Sequence, residues 1–402
     1  MKPVDIRSEF AVYDENPDLG YFDSASTTLV PKQAVRRTWK FLSSVVVSSR
    51  KGAYKLAIEG SKIVEDTRSQ LAEYLGTNSS QVSFQKSLPS AVASFVYGFD
   101  WGREKRNKIV IGKSEENSIT ASLLRAAEVL KLETEMIPTD SNGVLNLENI
   151  DKLIDDNTGI VAVGHIAPGL GLANPIEEIS KVAHDAGAAL LTDATRSAGF
   201  TDSSIIKLGS DILLFSANIG LMGPPGLALQ WMRSDLSEGH RPGILGGSSI
   251  SNLQEYNYDV SLPPNKFESD VLNVPAIAGL SSSLTFIQSN HNLIHSHLKR
   301  LSRHMLKLLE GIENLHLYGS PSEKNTIFGF NLGSARNLSS HDVALFLDES
   351  NIAVRSGLIC APSLIQSIAG DGLIQASIHA YNTTTDINRL GNVLETILRD
   401  LV

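Results

Sequence analysis

The stretch FSANIGLMGPPG, Phe215–Gly226, closes the segment that decides the fold. An apolar run, DILLFS (211–216), leads into it, and glycine and proline then punctuate a loop shaped around something. Between Asp211 and Arg233 no ionisable side chain appears. So specific a turn with no chemistry in it is the feature to be explained.

Upstream, from about residue 60, short β-rich runs alternate with helical patterns. VSFQ (82–85), KIVIG (108–112), GIVAVGH (159–165), AALLTD (188–193) and DILLFS (211–216) are predicted strands. NPIEEISKVAHDAG (174–187) is a predicted helix: Asn174 is placed to cap it, Pro175 suits its first position and Glu177 can reach back to the cap. Ile176, Ile179, Val182, Ala183 and Ala186 share one face, and Gly187 ends the helix. SKIVEDTRSQLAEYLG (61–76) has the same stripe and closing glycine. Continuous apolar strands joined by helices imply an α/β architecture, a mostly parallel sheet with helices on both faces. Ligands of such sheets sit beyond the carboxyl ends of the strands. After about residue 290, TIFGFNLG, SHDVALFLDES, IAVRSG, LIQASIHAY and a last helix from about Thr385 read as a smaller α+β layer. The expected division is a large domain over 15–265, a connecting segment over 266–295, and a small domain formed by 296–402 with 1–14.

The 402 residues exceed the usual limit of about 250–300 for one core, in keeping with two domains. A net charge of −9 argues against a nucleic-acid partner. No apolar run approaches the ~20 residues that span a bilayer, and the start lacks the apolar core of a signal peptide. A single cysteine, Cys360, excludes an intramolecular disulfide and fits a cytoplasmic location.

In chain order the strand-end residues are Lys86-Ser87-Leu88-Pro89-Ser90, Ser114-Glu115-Glu116-Asn117, His165, Asp193-Ala194-Thr195-Arg196, and Ser216 to Gly223. With YFDSASTT (21–28), RKGAYKLA (50–57), GHIAPGLGLANPIEEI (164–179), KFESDVLNVPAIAGL (266–280), AVRSGLICAP (353–362) and QASIHAYNT (375–383), this series resembles the class V aminotransferase and cysteine desulfurase family over nearly the whole chain. The resemblance implies the type I fold of pyridoxal-phosphate enzymes and a homodimer. It also implies a set of groups around the cofactor: a Schiff-base lysine, an aspartate on the ring nitrogen, a side chain stacked on the ring, hydroxyls for the phosphate and an arginine for the substrate carboxylate. In desulfurases a loop cysteine takes the sulfur as a persulfide.

The family-equivalent positions here are Lys86, Ser87, Ser90, Glu116, His165, Asp193, Arg196, Ser216, Asn218 and Ile219 for the cofactor, Arg355 and Gln375 for the substrate, and Cys360 for sulfur. Many carry the wrong chemistry. Ile219 occupies the lysine position, after Asn218 in place of a histidine. Glu116 replaces the stacking histidine, Arg196 a glutamine and Gln375 the substrate arginine. Ser87-Leu88-Pro89 replaces the phosphate turn, where Pro89 removes a backbone N–H, Pro168 replaces an asparagine, and Val271 replaces the threonine lent across the dimer. An isoleucine forms no imine, and Lys207 lies at the wrong end of the sheet. The loop at 215–226 thus reads as inherited architecture without its reactive residue.

Without that lysine, Asp193 is expected to cap the following turn, and Ser87 to cap a helix. The apolar neighbours Leu358, Ile359, Ala361 and Pro362 favour a quiet Cys360 thiol over a reactive one. His291 and His295 in HNLIHSH (291–297) lack a third metal ligand and are expected on a solvated basic face, so no metal site is expected. GILGGSSISN (243–252) resembles the family's active-site loop and is expected to be a flexible surface loop. Three functions remain open: a pseudoenzyme acting as partner or regulator in sulfur or iron–sulfur metabolism, with no covalently bound pyridoxal phosphate; a Cys360 persulfide carrier; and an active desulfurase or aminotransferase that binds the cofactor atypically or borrows Lys51, Lys55 or Lys266 across a dimer. Pairing with an intact homologue is the alternative to a homodimer.

Overall fold

The computed structural model describes residues 6–102, 106–200, 205–320, 322, 325–333 and 338–401. The ends of the expected small domain, 1–5 and 402, lie outside them. Seven strands make the main sheet: β1 (Val82–Gln85), β2 (Lys108–Gly112), β3 (Glu133–Ile137), β4 (Thr158–Ala162), β5 (Ala189–Asp193), β6 (Ile212–Ser216) and β7 (Ala228–Met232). They lie in the order β1-β7-β6-β5-β4-β2-β3, and only β7 runs antiparallel to its neighbours. Alternation along β2 shows why its side chains are apolar throughout. Ile109 and Ile111 pack with Phe95, Ile119 and Leu123 on one face, while Val110 packs with Ile176 and Ile179 on the other.

Two strands escape the sequence reading. β3 is an edge strand whose residues are exposed up to Ile137, so its glutamates face water and mask the β pattern. β7 is fully buried, and its reversed direction breaks the strand–helix alternation.

The main helices are α1 (Lys32–Ser44), α2 (Lys55–Leu75), α3 (Leu88–Gly98), α4 (Asn117–Leu130) and α5 (Ile176–Asp185). α2 closes on Gly76 at φ +74°, as expected, but begins six residues earlier than the apolar stripe suggested. The start of α5 corrects the expectation. Pro175 is its N-cap and no side chain caps it. Asn174 instead donates to Ser114 Oγ at 3.0 Å and the Gly164 carbonyl at 2.7 Å, tying two strand ends together.

A second, antiparallel sheet carries β8 (Leu315–Leu317), β9 (Ile327–Leu332), β10 (Arg355–Gly357) and β11 (Leu373–Ser377), in the order β8-β9-β11-β10. Its register sets Arg355 directly opposite Gln375. The N-terminal segment forms a separate two-stranded sheet and runs on to the end of the main one. Gly20–Tyr21 pairs with Ile352–Ala353, and the Thr28 amide and hydroxyl both donate to the Asn218 carbonyl.

A buried charge network braces the sheet edge. Arg68 spans the Glu268 carboxylate with bonds of 2.6 and 3.2 Å, Arg50 reaches the same carboxylate at 2.6 Å, and the Phe84 amide donates to it at 2.8 Å.

Candidate functional site

The carboxyl ends of β1, β2, β5 and β6 converge with Ser26, Arg355, Cys360 and Gln375 around a cavity of about 170 Å³. Of the residues singled out from sequence, Glu116, Arg196, Ser216, Ile219, Arg355, Cys360 and Gln375 line it together. Lys86, Ser87, Ser90, His165, Asp193 and Asn218 do not. Leu88, Ser118, Thr195, Ile359, Ala25 and Ser26 complete the wall and were not singled out. Ser26 lies within YFDSASTT, whose strand-like start was the available signal.

The loop after β6 is held from both sides. Gly220 has φ +72°, and a Cβ there would lie 1.9 Å from the Ala198 carbonyl. Leu221 and Met222 are buried beneath it, which leaves Ile219 half-buried at the cavity wall. Among the described residues no lysine lines this cavity. Lys207 is exposed, and Lys86 donates to the Val271 carbonyl outside it. Lys266, a candidate for lending across a dimer, is buried with its amine 3.1 Å from the Glu238 carbonyl, which corrects that expectation. The start of α3 is closed by its own side chains: Ser87 Oγ accepts the Ser90 amide at 3.3 Å, and Ser90 Oγ accepts the Ser87 amide at 3.1 Å. Pro89 supplies no N–H, so this terminus is already capped rather than open to a phosphate. These residues do not fit a covalently held pyridoxal phosphate.

Three acids crowd the ends of β2 and β5. Asp193 Oδ1 accepts the Thr195 amide at 2.9 Å, and its Oδ2 lies 3.9 Å from Arg196. Burial, partly offset by Arg196, pushes Asp193 up to about 6. Burial, reinforced by Asp193, raises Glu115 well above the usual carboxylate range. Its Oε1 accepts the Glu116 amide, while Oε2 has no partner. Glu116 caps α4 by accepting from Ser118. His165 is held down to about 4 by burial.

On the opposite wall, Asp23, Ser26, Arg355 and Cys360 form a chain. Ser26 Oγ donates to Asp23 at 2.5 Å, Arg355 Nη1 donates to Ser26 Oγ at 2.7 Å, and Arg355 Nη2 reaches Cys360 Sγ at 3.2 Å. Apolar neighbours do surround the thiol, with Ile359 and Ala361 buried. The guanidinium comes from five residues earlier, across a turn that sets both Ile359 and Cys360 at positive φ, +47° and +57°. Gln375, where an arginine was looked for, accepts the Gly169 amide through Oε1 at 3.1 Å.

The segment 243–252 is anchored rather than free. The Gly243 amide donates to the Ser94 carbonyl at 2.7 Å, and Gly246 packs where a side chain would strike the Ser269 carbonyl. His291 and His295 stack at 6.4 Å on one helix. Among the described residues no group of three or more His, Cys, Asp or Glu is placed to hold a metal, and no helix is long and apolar enough to cross a membrane.

A mostly parallel sheet with a strand-end cavity closed by a second α+β layer is the architecture of the type I pyridoxal-phosphate enzymes. The chain belongs to the aminotransferase class-V family, whose model matches residues 20–390. Among its relatives is a protein of Methanothermobacter thermautotrophicus named "Probable cysteine desulfurase", 29 % identical over 99 % of this chain and 98 % of the relative. A cysteine desulfurase from Thermococcus onnurineus, solved in its apo form, superposes with a TM-score of 0.90 at 28 % identity, covering 99 % of this chain and 98 % of that one. The fold is also shared with cysteine desulfurase CsdA (S-sulfonic acid) from Escherichia coli, with a TM-score of 0.87 at 21 % identity over 100 % of both chains.

Proposed function

We propose that this chain is a cysteine desulfurase homologue that has lost pyridoxal-phosphate catalysis and works by binding, as a partner or regulator in sulfur or iron–sulfur metabolism. The observation that carries the reading is Ile219 at the wall of a cavity that no lysine lines. An imine needs an amine within bonding reach, and no described side chain offers one there. The self-capped start of α3 and the turning of Gln375 onto Gly169 support it, because they remove phosphate and carboxylate binding separately. Titrating the purified protein with pyridoxal phosphate tests the reading. No aldimine absorption band is expected, and a borohydride-reducible adduct on one specific lysine would defeat it.

A second reading rests on a different contact. Arg355 donating to Cys360 Sγ gives the only cysteine a cationic neighbour, as a persulfide carrier requires. Incubation with an active desulfurase and cysteine should then leave persulfide on Cys360; an unmodified thiol under those conditions counts against it.

The working unit is a homodimer in a cytoplasmic setting. Val35, Trp39, Leu42 and Val46, spaced at helical intervals along and just past α1, are 47, 69, 52 and 62 % exposed, an apolar stripe awaiting a second copy. Wild-type protein should elute as a dimer by light scattering and Trp39→Glu as a monomer. A monomeric wild type, or pairing only with an intact homologue, would sink the homodimer.

A further inference from the structure

The geometry points to a small oxyanion site between the guanidinium groups of Arg196 and Arg355, in the strand-end cavity beside Cys360, with a divalent anion of sulfate or phosphate size as its ligand. The inference goes beyond the loss of catalysis and holds whatever partner the protein has.

Arg196 carries the argument. It is only 7 % exposed, it lines the cavity, and its Nε has no hydrogen-bond partner. Its sole ion pair is the 3.9 Å approach to Asp193, too long for a hydrogen bond. A buried guanidinium N–H left unsatisfied is costly, so the Nε of such a group in a cavity calls for an acceptor. The neighbouring acids do not serve. Glu116 is engaged by Ser118, and the free oxygens of the other two, Glu115 Oε2 and Asp193 Oδ2, make no hydrogen bond to the guanidinium. They balance charge at a distance without saturating the donors.

The second cation is already oriented. Ser26, itself fixed by Asp23, takes one Arg355 donor and Cys360 another, which leaves the rest of the fork for a ligand. Size selects the ligand class. About 170 Å³ holds roughly five or six waters and falls short of the ~300–1,000 Å³ usual for organic ligands. Two guanidinium groups, with the hydroxyls of Thr195 and Ser216 on the same wall, suit a compact ion bearing several acceptor oxygens.

The test is calorimetric titration of the full-length protein with sulfate and with inorganic phosphate at constant ionic strength, beside acetate and pyridoxal phosphate. Saturable binding of a divalent inorganic anion is expected. Arg196→Gln should weaken it about tenfold or more, the loss of a charge-assisted hydrogen bond. Because the variant could misfold, the wild type supplies a second readout: bound sulfate should slow iodoacetamide alkylation of Cys360, the only thiol in the chain. Absence of saturable binding, binding unchanged in a folded Arg196→Gln, or binding of acetate or pyridoxal phosphate without the inorganic dianions would each overturn the assignment. Lack of an aldimine band with sulfate still bound would leave this site standing; sulfate failing to bind would leave the loss of catalysis standing.

Discussion

Acidification from pH 7 to pH 5 should destabilise this protein, and the sign follows from which buried groups titrate there. His165, His240 and His379 are all held down to about 4 by burial, against about 6.5 unfolded. A depressed folded value means that the unfolded chain binds the proton first, so the stability each neutral imidazole provides is present above pH 6.5 and lost as pH falls toward 4. Between pH 7 and pH 5 each loses about 2 kcal/mol, roughly 5–6 kcal/mol for the three. Asp193 works the other way. Raised to about 6, it gives stability that is present at low pH and lost on going up through 6, so acidification returns about 1 kcal/mol. Glu115 and Asp23, also raised by burial, act in the same direction as Asp193. The three histidines outweigh Asp193 by about 4 kcal/mol, a loss that Glu115 and Asp23 reduce. Urea unfolding followed by tryptophan fluorescence at the two pH values measures it directly. His240→Gln should remove about a third of the histidine share of the dependence, and Asp193→Asn should make the decline steeper. A midpoint that stays level or rises on acidification would show that these imidazoles are solvated or paired, contrary to the packing of His379 between Phe200 and Tyr381.

Other perturbations address the frame of the site. Glu268→Ala leaves Arg68 with only Glu65 and the Val82 carbonyl and takes the acceptor from Phe84, and chemical denaturation should register a loss of about 3 kcal/mol. A cost below ~1 kcal/mol would mean that water reaches the guanidinium. Ser87→Ala opens the reciprocal cap of α3 and should cost about 1 kcal/mol by the same measurement. Gly220→Ala sets a methyl 1.9 Å from the Ala198 carbonyl at a positive φ, so soluble yield and thermal midpoint should both fall sharply; normal behaviour would show that the loop can move aside.

The architecture was legible because its strands are buried on both faces and therefore apolar without interruption, and because each strand end carried a short motif in order. Edge strand β3 was not, since Glu133 and Glu135 serve solvent rather than a core. The start of α5 misled for a related reason. Asn174 before Pro175 has the chemistry of a cap, yet its amide is taken by Ser114 and Gly164, partners sixty and ten residues away. Within the site, the apolar Ile219 and the uncharged Gln375 could be read directly, because each is a single position. What Cys360 touches could not. Its sequence neighbours are apolar, and the guanidinium arrives through a turn at positive φ that no local propensity announces. Reading residues one at a time finds what is absent; contacts made across two sheets supply what has taken its place.

That replacement is specific in its chemistry. A cavity under no demand to bind a ligand would tend to fill with apolar side chains, since unpaired polar groups are costly to bury. Leu88 and Ile219 are such side chains in the cavity wall. Arg196 is the opposite, a buried cation whose Nε lacks an acceptor among the described residues. Charge balance accounts for its presence among Glu115, Glu116 and Asp193 but not for its unfilled donors, because none of those carboxylates comes within hydrogen-bonding distance. Nor does the uncharged Gln375 leave the pocket without positive charge, for Arg355, directly across the strand pair, is fixed through Ser26. Ile219 suits a packed wall; the buried guanidinium is what the proposed oxyanion would satisfy.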